Sequence, residues 1–195
     1  MSKGQLTKDQ ILLTALEFSS KFGFEALSIG KLAEAVGLSK SGLFGHFKSK
    51  EKLQEMILDY TADSFTFKVF LPATKMPRGI PRIDAILENW VKWTKNLMKG
   101  GCPLLTAAIE FDDRPGEIRN KVRDLYRQKM DFFKKAAVIA VTEGQFKRDS
   151  DPEQFAYEFY SLMAGYHINS RLLDDKKAEQ KLKTAYQKLI NDYKV

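Results

Sequence analysis

Apolar residues recur three and four positions apart along nearly the whole chain, and no run alternates polar with β-branched residues as a half-buried strand would. That period dictates an all-α fold. Thr7 and Gln10 form a capping box ahead of a first helix whose Ile11, Ala15, Phe18 and Phe22 make one stripe ending at Gly23. Ser28 caps a second helix with Ile29, Leu32, Ala33 and Val36 on one face and Gly37 past its end. Ser39 caps a third through Phe47. A fourth opens at Ser49 and carries Leu53, Met56, Ile57, Tyr60 and Phe67 until Pro72 and Pro77 stop it. Five longer helices follow at roughly 81–99, 103–113, 115–143, 152–173 and 175–193. Gly100 and Gly101 separate the first two, Pro115 suits an N1 position, Gly144 a C′ position, and Asp151 with Pro152 opens the fourth.

Composition removes several function classes. With 195 residues, 44% hydrophobic and 29% charged, the chain can bury a core without staples. Cys102 is the single cysteine, which excludes an intrachain disulfide and a cysteine zinc site and suits a reducing cytoplasm. The polar start, Met1 to Thr7, lacks an apolar signal core, and no segment reaches the roughly 18 apolar residues of a membrane span. A cytoplasmic protein without a membrane partner is expected. His46 and His167 are the only histidines, so no metal site is expected. Asp112 and Asp113 adjoin Arg114 without a nucleophile or cofactor motif and read as a salt-bridged helix end. No catalytic residues and no cofactor follow from the sequence.

The net charge of +7 favours a polyanionic partner, and its placement sharpens that reading. Between residues 37 and 52, Lys40, Lys48, Lys50 and Lys52 stand against Glu51 alone. This basic run overlaps Ser28–Lys50, where Gly37, Leu38 and Ser39 join two short helices at helix-turn-helix spacing. Ala33 is small where the helices approach, Gly37 accepts positive φ, and Leu38, Leu43 and Phe47 anchor the corner. Left outward on the third helix are Lys40, Ser41, Gly42, Phe44 and His46: donors, a bare backbone and an aromatic ring suited to phosphates and base edges. Gly45 lowers the helix propensity there by about 1 kcal/mol relative to Ala.

The segment Leu27–Leu53 resembles the DNA-binding region of the tetracycline-repressor (TetR) family of bacterial transcriptional regulators. The matching features are Ser28 before the second helix, Leu32 and Ala33, the turn Gly37-Leu38-Ser39, the box Leu43-Phe44-Gly45-His46-Phe47, and Ser49-Lys50-Glu51. Gly100–Pro103 and Glu110–Gly116 are similar to one C-terminal subgroup of that family. The resemblance implies an N-terminal three-helix helix-turn-helix domain over 1–50 and a helical ligand-binding and dimerisation domain over 51–195. It implies that Ser39, Lys40, Ser41, Gly42, Phe44 and His46 form the recognition surface and that Ser28, Lys48 and Lys50 hold phosphates, Lys50 with the help of a helix N-terminus. Phe44 departs from the family's Tyr and lacks its hydroxyl.

The resemblance further implies a homodimer on a pseudo-palindromic double-stranded DNA operator, with repression as the default and release by a small apolar or aromatic effector. Candidate pocket residues are Trp93, Phe111, Tyr126, Phe133 and Tyr160. Two apolar stripes on the penultimate helix need two neighbours, within the chain or in a second subunit; the resemblance, which implies two-fold dimers through the last two long helices, puts Phe155, Phe159, Met163 and Tyr166, with Leu182, Tyr186 and Leu189 of the last helix, at the interface. Two rival readings stay open: a helical carrier or enzyme whose basic N-terminus does not read DNA, and a DNA-binding regulator without a small-molecule ligand.

Overall fold

The computed structural model describes residues 3–98 and 100–195, with side chains from residue 8 onward. The helices are α1 (Lys3–Phe22), α2 (Ile29–Val36), α3 (Lys40–Phe47), α4 (Lys50–Phe65), α5 (Leu71–Ala73), α6 (Ile80–Asn96), α7 (Pro103–Glu110), α8 (Glu117–Thr142), α9 (Pro152–Arg171) and α10 (Ala178–Tyr193). A π-helical segment, Thr66–Phe70, joins α4 to α5. No strand occurs among the described residues, only an isolated bridge between Phe146 and Lys194. The sequence period therefore translated directly into helices.

Two compact units form: Met1–Phe65 with Thr94–Leu125, and Thr66–Trp93 with Tyr126–Val195. In the first unit, Ile11, Leu12, Ala15 and Leu16 of α1 are buried with Phe24, Leu27, Leu32, Leu43, Phe47 and Ile57. Two close approaches explain why residues near position 100 join this unit. Gly100 donates its backbone N–H to Ser20 Oγ at 3.1 Å, and a Cβ there would fall 1.8 Å from the Ser20 carbonyl oxygen. The Glu110 carboxylate accepts the backbone N–H groups of Phe24 and Glu25, both at 2.7 Å.

Three helix starts or stripes depart from the sequence reading. Helix α1 begins at Lys3, which puts Thr7 inside it rather than at its cap. Phe22 is 56% exposed, because the buried stripe continues through Ser19 and Ser20 instead. Pro115 precedes α8 by two residues, since Gly116 at φ +136 must turn the chain before the helix can start. Elsewhere the punctuation holds: Asp151 accepts from the N–H groups of Glu153 and Gln154, and Gly144 takes φ +68 just beyond α8.

The second unit is built on rings. Phe155 stacks on Phe159 with centroids 5.8 Å apart, Phe133 meets Phe159 edge-on at 5.0 Å, and Trp90 meets Tyr166 at 5.7 Å. Such pairs contribute about 0.5–1.5 kcal/mol each beyond their burial. Helices α9 and α10 close against one another over Met163, Leu182, Tyr186 and Leu189, all buried.

Candidate nucleic-acid interface

The helix-turn-helix is assembled by its own caps. Ser28 Oγ accepts from the Lys31 N–H at 3.2 Å and Ser39 Oγ from the Gly42 N–H at 3.0 Å, which starts α2 and α3. Gly37 adopts φ +68, and its following amide, Leu38 N–H, returns to the Ala33 carbonyl at 2.9 Å to close α2. Leu43 and Phe47 are fully buried and fix the rotation of α3. Leu38 is only half-buried.

That rotation exposes Ser39, Lys40, Ser41, Gly42, Phe44 and His46, together with Ser28 and Lys48. Phe44 is 54% exposed. Gly42 has a second reason to be glycine, since a Cβ would press on the capping Ser39 Oγ at 3.1 Å. Ser39 and Ser41 share a hydroxyl hydrogen bond of 3.1 Å.

The sequence reading missed two features. Lys48 closes α3 in the left-handed region, φ 57, with its N–H on the Phe44 carbonyl at 2.9 Å. A lysine held there costs more than a glycine would, a strain that clusters at functional corners. Nothing in the local sequence signals it. The second feature concerns Lys50, expected as a free phosphate ligand. Its ammonium donates to Glu25 Oε2 at 3.0 Å and to the Glu25 carbonyl oxygen at 2.9 Å, and it is half-buried. Gln54 donates to the other Glu25 oxygen at 2.9 Å, and Arg114 lies 3.6 Å from Oε2. The Gln54 amide, then Lys50, hold the Glu25 carboxyl below its ordinary value against the opposing effect of burial. Two of the three ammonium donors of Lys50 are engaged here.

The interface and pocket candidates differ in burial. Phe155, Phe159, Met163, Tyr166, Leu182, Tyr186 and Leu189 lie inside the protomer, none more than 8% exposed, because α9 and α10 use these stripes to cover each other and the unit's own core. A different apolar face of α9 is exposed, with Tyr157 and Ile168 at 64% and 45% exposure, and Leu172 just beyond the helix is 77% exposed. Of the pocket candidates, Trp93, Phe111 and Phe133 are sealed as core. Tyr126 and Tyr160 meet edge-on at 5.1 Å beneath the Lys129 ammonium, 4.0 Å from the Tyr160 ring centre. Tyr126 borders an open cleft of about 490 Å³ with Met130, Ala156 and Tyr157, and a separate apolar cleft of about 220 Å³ is lined by Phe70, Ile86, Phe132 and Ile139.

Comparisons with known proteins agree on the kind of molecule. Residues 11–57 match the family model described as bacterial regulatory proteins, tetR family, and residues 79–186 match the model for a tetracyclin repressor-like C-terminal domain. The HTH-type transcriptional repressor ComR of Escherichia coli is 21% identical over 168 residues, covering 84% of this chain and 79% of ComR. A TetR transcriptional regulator from Chloroflexus aurantiacus is 26% identical and superposes with a TM-score of 0.86 over 98% of this chain and 96% of its own. AibR, solved with isovaleryl coenzyme A and operator DNA, is 22% identical with a TM-score of 0.70 over 91% of this chain and 97% of its own. Among the described residues, no helix is long and apolar enough to cross a membrane.

Proposed function

The chain belongs to the tetracycline-repressor family and is a DNA-binding transcriptional regulator, and on that premise we propose that it is a cytoplasmic, effector-released repressor acting as a homodimer on a two-fold operator. The observation that carries the reading is the outward face of α3, where hydroxyls, a lysine, a histidine and Phe44 stand exposed while Leu43 and Phe47 lock the helix beneath. Ser41, Phe44 and His46 take the base edges, Phe44 against a thymine methyl or a sugar. Ser28, Ser39, Lys40 and Lys48 take the backbone, Gly42 lets it approach, and Lys50 joins once it exchanges Glu25 for a phosphate. The name of the ComR relative supports repression, and the ligand and operator bound to AibR support release by a small molecule.

Dimerisation uses the exposed α9 face at Tyr157 and Ile168, with Leu172 just beyond it, which buries apolar surface that the protomer leaves in water. Two recognition helices then enter successive major grooves, and effector binding shifts the population toward a form with weaker DNA affinity. The test is selection of genomic fragments by the purified protein, followed by titration between about 50 and 200 mM salt, where several phosphate contacts lower affinity by about 10³-fold. A palindromic site bound by a dimer with a steep salt slope supports the reading. Weak binding indifferent to sequence overturns it, as does a protein that sediments as a monomer while bound to its site.

A further inference from the structure

The stretch Glu110–Gly116 resembles one C-terminal subgroup of the family, yet the DNA-reading role of α3 makes no use of it. Its first residue stands at the entry to the helix-turn-helix. Glu110, the last residue of α7, accepts the Phe24 N–H on one carboxylate oxygen and the Glu25 N–H on the other, both at 2.7 Å. These amides lie in the corner between α1 and α2, outside either helix. Hydrogen bonds from consecutive amides to one carboxylate are charge-assisted and stronger than neutral ones. The corner is shaped for that carboxylate: Gly23 takes φ +88, and a Cβ there would stand 3.0 Å from both Glu110 oxygens.

The other polar groups of the corner are held from α4. Gln54, only 2% exposed, donates to the Phe24 carbonyl at 3.2 Å and to Glu25 Oε1 at 2.9 Å, and Lys50 donates to the Glu25 carbonyl at 2.9 Å. The buried Phe24 ring meets Phe111, the neighbour of Glu110, edge-on at 6.3 Å. Residues 24 and 25 are thus fixed between α4 on one side and the end of α7 on the other. Ser28 caps α2 only three residues later, and α2 leads through Gly37 into α3. Where the corner sits sets where the reading helix begins its path.

We infer that Glu110 is a positioning residue for DNA binding: by clamping the Phe24 and Glu25 amides it holds α2 and α3 in place against α4 without touching nucleic acid. The inference rests on the DNA-binding assignment and needs no effector, operator or dimer. Its test has a definite sign, because the Glu110 charge opposes the field that draws DNA. Glu110→Gln removes that charge, which through the field alone would tighten binding, but it turns an amide NH₂ toward one of the two N–H donors and leaves that donor unpaired. Positioning predicts weaker binding, by about fivefold, the lower end of couplings between separate sites. Glu110→Asp keeps the charge on a side chain one methylene shorter and should weaken binding similarly. Anisotropy of a labelled mixed-sequence duplex with the full chain, titrated at several salt concentrations, reads both effects. The salt slope should stay unchanged, since no phosphate contact is lost.

Hydrogen exchange of the full chain supplies a readout that a merely structural role would not move. In the parent, the duplex should slow exchange over residues 28–50 and also over 103–116; in the variants the slowing should remain at 28–50 and disappear at 103–116. Circular dichroism identifies a variant that fails to fold, the other then decides, and exchange in the parent needs no variant. The inference is overturned if Glu110→Gln binds DNA as tightly as the parent or more tightly, if a variant that has lost protection of both corner amides binds like the parent, or if the salt slope falls. Slowing at 28–50 alone in the parent, or slowing at 103–116 that persists in the variants, overturns it as well. No slowing at 28–50 in the parent would refute the DNA-contacting role of the helix-turn-helix itself, and the inference with it.

Discussion

Replacing Glu25 with Gln should strengthen DNA binding through Lys50, although neither the new amide nor the lost carboxylate need touch DNA. In the free protein Lys50 is held by the Glu25 carboxylate and by the Glu25 carbonyl oxygen, at 3.0 and 2.9 Å. Both side chains are 39% exposed, so the pair is worth about 0.2–1 kcal/mol, the range of solvent-accessible ion pairs. Releasing it converts to an affinity gain of about 1.4- to 5-fold. The carbonyl acceptor survives the substitution, which places the expected gain near the lower end, about twofold. Because phosphate contacts ignore sequence, the assay needs no operator: anisotropy of a labelled mixed-sequence duplex, titrated at several salt concentrations, reads both the affinity and the salt slope. Removing a negative charge also improves the general field toward DNA, so the measurement is a double-mutant cycle with Lys50→Ala. Glu25→Gln should gain affinity in the parent and much less in the Lys50→Ala background, and Lys50→Ala alone should lower the salt slope by up to about 1. An equal gain in both backgrounds, or none in the parent, would refute the competition between Glu25 and phosphate for Lys50.

Two other outcomes follow from the structure. Gly45→Ala should raise the urea midpoint by an amount corresponding to at most about 1 kcal/mol, because no atom lies within 4 Å of the added Cβ; an unchanged or lowered midpoint would mean that α3 needs the glycine. Burial raises the pKa of Asp84 above its ordinary value, more than the hydrogen bond donated by Tyr186 at 2.5 Å lowers it. The folded state therefore binds that proton more tightly than the unfolded one, and stability falls as pH rises from the ordinary carboxylate value through the raised one. Asp84→Asn keeps an acceptor for Tyr186 and should flatten this segment of the stability profile, measured by urea denaturation from about pH 4 to 7; an unaltered profile would refute the assignment to Asp84.

Local grammar carried most of the helix-turn-helix. Ser28, Gly37 and Ser39 act as cap, left-handed stop and cap because such choices depend on a few neighbouring backbone groups, and the burial of Leu43 and Phe47 follows from the turn they close. The exposed residues of α3 were legible for the same reason. Where the sequence misled, the cause was competition between faces. A stripe such as Phe155, Phe159 and Met163 announces that something covers it, yet periodicity does not say whether the cover is the same chain or a second copy. Here α10 took it, leaving Tyr157, Ile168 and Leu172 for another surface. Aromatic residues posed the same difficulty: Trp93 and Phe133 are core, while Phe70, displaced by the π turn, reaches the cleft.

What the sequence alone determined is thus the all-α class, the caps and the outward residues of α3, each set by interactions within about four residues along the chain. Only the tertiary structure decided that Lys50 is held by Glu25 and that Glu110 secures the amides of Phe24 and Glu25. These pairings join residues 25 to 86 positions apart, where no periodicity relates the partners and only the packed chain brings their charges together.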